Sequence, residues 1–245
     1  METCKCCESA AIGECGNCGT TCYCSVVCQR EHWHLAHAQE CIPLGADATL
    51  SAQRPYRLVV YKTEVGASAR SGSESDASFG RQVEATLNDA RGWRRHGYAF
   101  MRLATNVAWQ SAERYAPVLR LRLVLVSAEE AASACTIPGF SCWIASDESA
   151  HAGTIAINYA NWMGGSASRL PLARYRNYVV NHEVGHALGL KHAECPLAAC
   201  QRLGLAHCPA SVMQQMTRGP EHVAPCVESE WPWAPEAGLA EPTLR

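Results

Sequence analysis

The sequence predicts an α+β protein in two parts, a small zinc-stapled finger and a larger domain that mixes strands with helices. Three observations lead there. Nine of the fifteen cysteines fall in the first 41 residues, after which cysteine becomes sparse. The remainder runs strand, helix, several strands, long helix and then an irregular tail rich in Cys, Pro and Gly. Near the end of that long helix stands HEVGHALGLKH, residues 182–192, whose histidines have metal-ligand spacing.

The first part, residues 1–45, is too short to hold a fold by apolar burial alone and needs a staple. Its cysteines supply one. Cys4-x2-Cys7, Cys15-x2-Cys18, Cys24-x3-Cys28 and His37-x3-Cys41 make eight soft ligands, enough for two closed tetrahedral zinc sites. Zinc binding supplies the folding free energy that the segment lacks. Cys6 and Cys22 are left over, and His32 and His34 read as surface residues. Residues 46–54 read as a linker, with Pro43 and Gly45 before it ending the last short helix and Pro55 opening a new strand.

The second part is expected over residues 55–235, with 236–245 a flexible tail. YRLVVYKTE reads as a strand. Phe79, Val83, Leu87 and Ala90 recur at helical spacing, so an amphipathic helix is expected to end near Gly92. YAFMRLA and VLRLRLVLVS read as strands, the second with arginines opposite the leucines. CTIPGFSCWIAS reads as a turn between two cysteines leading into a strand, and GTIAINYANW as a further strand. Pro171 precedes the long helix LARYRNYVVNHEVGHALG, whose Leu172, Tyr175, Tyr178 and Val179 can face a sheet. No internal repeat is present.

On that helix His182 and His186 stand one turn apart and offer two imidazoles to one ion. Glu183 lies beside them without being aligned to ligate. His192 is available as the third ligand, because Gly189 lets the chain leave the helix with a positive φ and turn back. A zinc ion so held acidifies water and polarises a carbonyl while Glu183 takes the proton. Val184, Ala187 and Leu188 suit the helix back.

These residues carry two resemblances. HEVGHALGLKH resembles the extended zinc signature of the metzincin metallopeptidases, and SVMQQM at 211–216 resembles the methionine turn of that clan, with Met213 the first counterpart and Met216 the alternative. RYRNYVVNHEVGHALG, ECP, VMQQ and the closing C…WP, together with ATLNDARGW and C…GFSC, are similar to a mainly bacterial metzincin-like family of unknown function, from about Tyr56 to Trp233. The resemblance implies a twisted mixed sheet, two long helices and an irregular C-terminal subdomain. It also implies catalysis by Glu183, zinc on His182, His186 and His192, and disulfides Cys135–Cys142 and Cys195–Cys226. Some branches of the clan carry a tyrosine two residues after the turn methionine, where this chain has Gln215, so no transition-state tyrosine is assigned. The clan's cleft-edge strand, which pairs with an extended peptide substrate, would fall to GTIAINYANW.

YCSVVCQREHW…H…C resembles the MYND-type zinc finger. That likeness implies a treble-loop finger with interleaved ligation, Cys4, Cys7, Cys24 and Cys28 on one zinc and Cys15, Cys18, His37 and Cys41 on another. It also implies that Gln29 and Trp33 line a groove for proline-containing peptides. Three zinc ions per chain are therefore expected.

The net charge of −2 and the pI near 6.5 provide no field for nucleic acid, and in the finger Lys5 and Arg30 are outnumbered by acids. No apolar run is long enough for a bilayer and METCKCCESA lacks the pattern of a secretory signal, so a cytoplasmic or nuclear site without membrane contact is expected. Such a compartment favours thiols over the implied disulfides, and the two expectations conflict. The functional expectation is a zinc metalloendopeptidase with a finger that recruits proteins. The alternative is a noncatalytic adaptor in which the finger binds peptides and the larger domain is a scaffold.

Overall fold

The structure is a computed structural model that describes residues 13–14, 22–23, 57–71, 74–115, 117–145, 153–202 and 207–232. The finger ligands, Gln29, Trp33, the linker and the C-terminal tail lie outside the described residues. In the segment expected to form the finger, β1 (Gly13–Glu14) and β2 (Cys22–Tyr23) pair antiparallel.

The larger domain is a mixed α+β unit on a five-stranded, mostly parallel sheet. In chain order its strands are β3 (Arg57–Val65), β4 (Tyr98–Arg102), β5 (Leu119–Val126), β6 (Cys142–Ile144) and β7 (Gly153–Asn158). In space they stand β4-β3-β5-β7-β6. Three pairings are parallel, and β6 alone runs antiparallel, against β7 at the sheet edge. Parallel neighbours need crossovers, and the first is α1 (Asp76–Leu87) between β3 and β4.

Helix α1 starts where Ser75 caps the Ser78 amide and Ser78 returns the bond, a capping box. It stops at Leu87 with Asn88 as C-cap, short of the expected end near Gly92, and Ala90 is exposed. The chain's own carbonyl partners decide this: the Asn88 amide closes back on Glu84, and a 3-10 turn over Trp93–His96 follows.

Both faces of β3 are buried, which explains its near-continuous apolar run. On one face Val59, Tyr61 and Val65 join Leu121, Leu123, Leu125, Ile155 and Ile157 beneath Phe79, Val83 and Leu87 of α1 and Tyr175, Tyr178, Val179 and Val180 of α4 (Leu172–Ala187). On the other face Leu58, Val60, Ala99, Met101 and Ala112 form a smaller cluster under Trp109 and Tyr115. Leu121, Leu123 and Leu125 of β5 are buried while Arg122 between them is exposed, as the alternation predicts. Helices α1 and α4 are pinned through Asn177, whose Oδ1 accepts from Gln82 Nε2 at 3.0 Å and Thr86 Oγ1 at 2.9 Å.

Three short helices were not foreseen. Helix α2 (Ala128–Ala134) begins at a capping box between Ser127 and Glu130. Helix α3 (Tyr159–Gly164) takes over the second half of GTIAINYANW, because Asn158 Oδ1 caps the amides of Ala160 and Asn161 and ends the strand. Helix α5 (Leu197–Arg202) lies in the irregular C-terminal part. That part is held by backbone bonds between Cys208–Ala210 and Val227 and by the two-pronged contact of Arg174 with Glu230, at 2.9 and 2.6 Å.

All six cysteines of the domain are disulfide-bonded. Cys135–Cys142 and Cys195–Cys226 are the pairs that the resemblance implied, and Cys200–Cys208 is a third. Their Cα separations are 5.7, 5.7 and 5.4 Å, all within the span a disulfide bridges.

Candidate metal centre

The C-terminal end of α4 builds the site. His182 and His186 project from one face of the helix, and Gly189 then ends it with φ +94°. The amide of Leu190 closes on the Gly185 carbonyl at 3.0 Å and that of Gly189 on His186 at 2.9 Å, the paired bonds of a Schellman cap. The cap turns the chain so that His192 returns to the other two histidines. It also presents the Leu190 carbonyl to His186 Nδ1 at 2.8 Å.

A backbone carbonyl only accepts, so the Nδ1 of His186 carries a proton. The same holds for His182, whose Nδ1 donates to the Val212 carbonyl at 2.7 Å. Each ring therefore turns its Nε2 lone pair inward. His186 Nε2 stands 3.2 Å from His182 Nε2 and 3.2 Å from His192 Nε2. Burial, with the neighbouring His186, pushes His182 down to about 3, and burial also lowers His192. Three Nε2 atoms so close together can share one cation. Nitrogens about 2.1 Å from a tetrahedral ion stand about 3.4 Å apart, so the separation fits such an ion. His182, His186 and His192 form one of two groups among the described residues that could hold a metal.

Glu183 is buried beside them and lines the same cleft. Burial raises its carboxyl to about 8, against a backbone hydrogen bond from Trp143. Its Oε2 has no hydrogen-bond partner among the described residues.

Beneath the histidines lies the turn at 211–216. Met213 is buried, and a Cβ on Gly185 would come within 2.3 Å of its Sδ, so only glycine in HEVGH lets the helix pack this closely. Met213 is therefore the methionine set against the metal-site turn of the helix. Met216 is buried as well, and its amide donates to Tyr178 Oη at 3.0 Å. Tyr178 in turn donates to the Gln214 carbonyl at 2.8 Å. Tyr178, read from the sequence only as packing, thus ties the helix to the turn. Its position one turn before His182 was the available signal.

The cleft has a volume of about 390 Å³. The loop from Cys135 to Trp143 forms one wall and Gln215, Thr217 and Arg218 form another. Phe140, Trp143 and Arg218 had no signal in the motif spacing. The assignment of GTIAINYANW to the cleft edge is corrected: β7 is hydrogen-bonded on both sides, to β5 and to β6, and has no free edge for another chain. The edge strand is β6, whose Cys142 and Trp143 line the cleft. Its indole lies over Gly153, where a Cβ would collide with the ring.

Fold and site together define an α+β domain with a candidate metal centre in its cleft. Residues 38–232 match the family described as "Protein of unknown function (DUF3152)", and the chain belongs to that family. The match takes in the last residues of the expected finger and the linker. No curated protein and no solved structure matches the chain. No helix among the described residues is long and apolar enough to cross a membrane.

Proposed function

We propose that the domain is a zinc-dependent metalloendopeptidase of metzincin type, and that the MYND-type finger recruits a protein or peptide partner. The observation that carries the reading is the convergence of three imidazole Nε2 atoms next to a buried carboxylate in an open cleft. Zinc bound there would polarise the scissile carbonyl and acidify a water. His182, His186 and His192 would hold it, with the Nδ1–H bonds of His182 and His186 and the Schellman cap before His192 fixing the arrangement. Glu183 takes the proton of the attacking water and returns it to the leaving amine.

The substrate is an extended peptide laid against β6, which has no further strand beside it among the described residues, so that main-chain hydrogen bonds supply affinity without demanding a sequence. Phe140 and Ile137 offer it apolar contact and Arg218 a positive charge. The experiment is a peptide-library digest with the zinc-loaded full chain, with and without a chelator. Chelator-sensitive cleavage at interior bonds supports the proposal. A chain that holds zinc yet cleaves nothing favours the adaptor, with the domain as scaffold.

A further inference from the structure

We propose a second metal site in the domain, a zinc tetrathiolate formed by Cys195, Cys200, Cys208 and Cys226 when their two disulfides are reduced. The sulfurs of Cys195, Cys208 and Cys226 all lie within 4.8 Å of one another, and Cys200, outside that trio but bonded to Cys208, is the fourth ligand at hand. Sulfurs about 2.3 Å from a tetrahedral zinc stand about 3.8 Å apart, a spacing close to that of the trio and one that Cys200 would meet by turning its side chain inward once the S–S bonds open. Cys200 and Cys208 are buried and Cys195 and Cys226 half-buried, as suits a closed structural site rather than an open one. Cys135–Cys142 makes no such group among the described residues and serves as an internal control.

The backbone around the cluster does not depend on the sulfur bonds. The Val227 amide donates to the Cys208 carbonyl at 2.8 Å, Ala210 to Val227 at 2.7 Å, Cys226 to Val223 at 2.9 Å and Cys200 to Pro196 at 3.1 Å. The first two bonds hold the segments of Cys208 and Cys226 together after reduction, and the last two fix the turns on which Cys226 and Cys200 sit. Each disulfide takes two electrons and two protons from a dithiol reductant, which leaves as its own disulfide, and zinc then displaces four thiol protons. The finger cysteines ligate zinc only as thiolates, so conditions that preserve the finger also favour thiols here.

The site would staple the segment that carries the third histidine. Cys195 follows His192 by three residues, Cys208 precedes Met213 by five, and the Ala193 amide donates to the Met213 carbonyl at 3.1 Å. Either two disulfides or one zinc would hold this corner, so the same fold serves oxidising and reducing surroundings.

The test is site-resolved thiol labelling of the full chain, reduced anaerobically with a phosphine and divided between zinc sulfate and a chelator. After reaction with a maleimide, peptide mapping reads each cysteine separately, so the finger does not confuse the result. With zinc, Cys195, Cys200, Cys208 and Cys226 are expected to lose their labelling together while Cys135 and Cys142 label fully. With chelator all six should label. In the Cys200→Ser, Cys208→Ser variant, Cys195 and Cys226 are expected to label even with zinc, because two thiolates do not close a site. Circular dichroism run in parallel should show the reduced chain folded with zinc. The proposal is overturned if the four label with zinc as fast as Cys135 and Cys142, if their disulfides persist under the reductant, or if the reduced chain unfolds whether or not zinc is present.

Discussion

Gly185 and Met213 are in such close approach that a single added methyl on the helix would meet the methionine sulfur at 2.3 Å and the Trp93 ring at 3.0 Å. Helix and turn each carry part of the candidate site, His182 and His186 on one and the Val212 carbonyl on the other, so this contact sets the distance between them. Gly185→Ala is expected to cost about 1–3 kcal/mol in a urea titration, through overpacking. It should also weaken zinc binding at the histidines. Adding Met213→Ala should restore part of the stability, which a double-mutant cycle reads as coupling.

Tyr178 bridges the same two elements with one hydroxyl, donating to Gln214 and accepting from Met216. Tyr178→Phe keeps the ring and removes the bridge. It leaves a buried carbonyl and a buried amide without this partner, and the expected loss is about 1–3 kcal/mol of unfolding free energy. Zinc content should be unchanged, because the Nδ1 of His182 keeps its bond to Val212.

Gly189 has open space where a side chain would sit, so its requirement is conformational, set by φ +94°. Gly189→Ala is expected to cost about 1–2 kcal/mol in stability. The larger effect should fall on metal affinity, since the cap places both the Leu190 carbonyl and His192. Competition with a chromophoric zinc chelator measures that affinity. An unchanged zinc affinity would separate the cap from the site.

Zinc is expected to raise the melting temperature of the chelated full chain in a concentration-dependent way, by mass action on the folded state. Part of that rise should come from the histidines, which the ion would hold together. His186→Ala should lose that part and keep what the finger contributes, as differential scanning calorimetry can resolve.

Much of this fold was legible because its signals are local. The alternation of Leu121, Leu123 and Leu125 with arginines marked β5, and histidines one turn apart followed by Gly189 and His192 marked the site. The Cys135–Cys142 bridge was implied by the family resemblance, and the turn between its two residues brings their Cα atoms to 5.7 Å. What escaped was set by distant partners. The strand after the second cysteine was expected, but the edge position of β6 was not, because it follows from antiparallel pairing with β7. The switch from strand to helix at Asn158 turned on one capping side chain, which outweighed the strand propensity of the residues after it. Cysteine spacing cannot fix connectivity, so the pairing of Cys200 with Cys208 needed the fold. The role of Tyr178 depended on a turn more than thirty residues downstream.

The central claim is that Glu183 performs acid–base chemistry at a metal held by three histidines. The most direct measurement is turnover of a cleavable peptide by Glu183→Gln beside the parent chain, with zinc quantified in both. The substitution keeps the shape of the buried side chain and removes its proton acceptor. The account predicts that zinc stays while turnover falls about a hundredfold or more. Turnover at the parent rate with zinc in place would contradict it, because the cleavage would then not use this site.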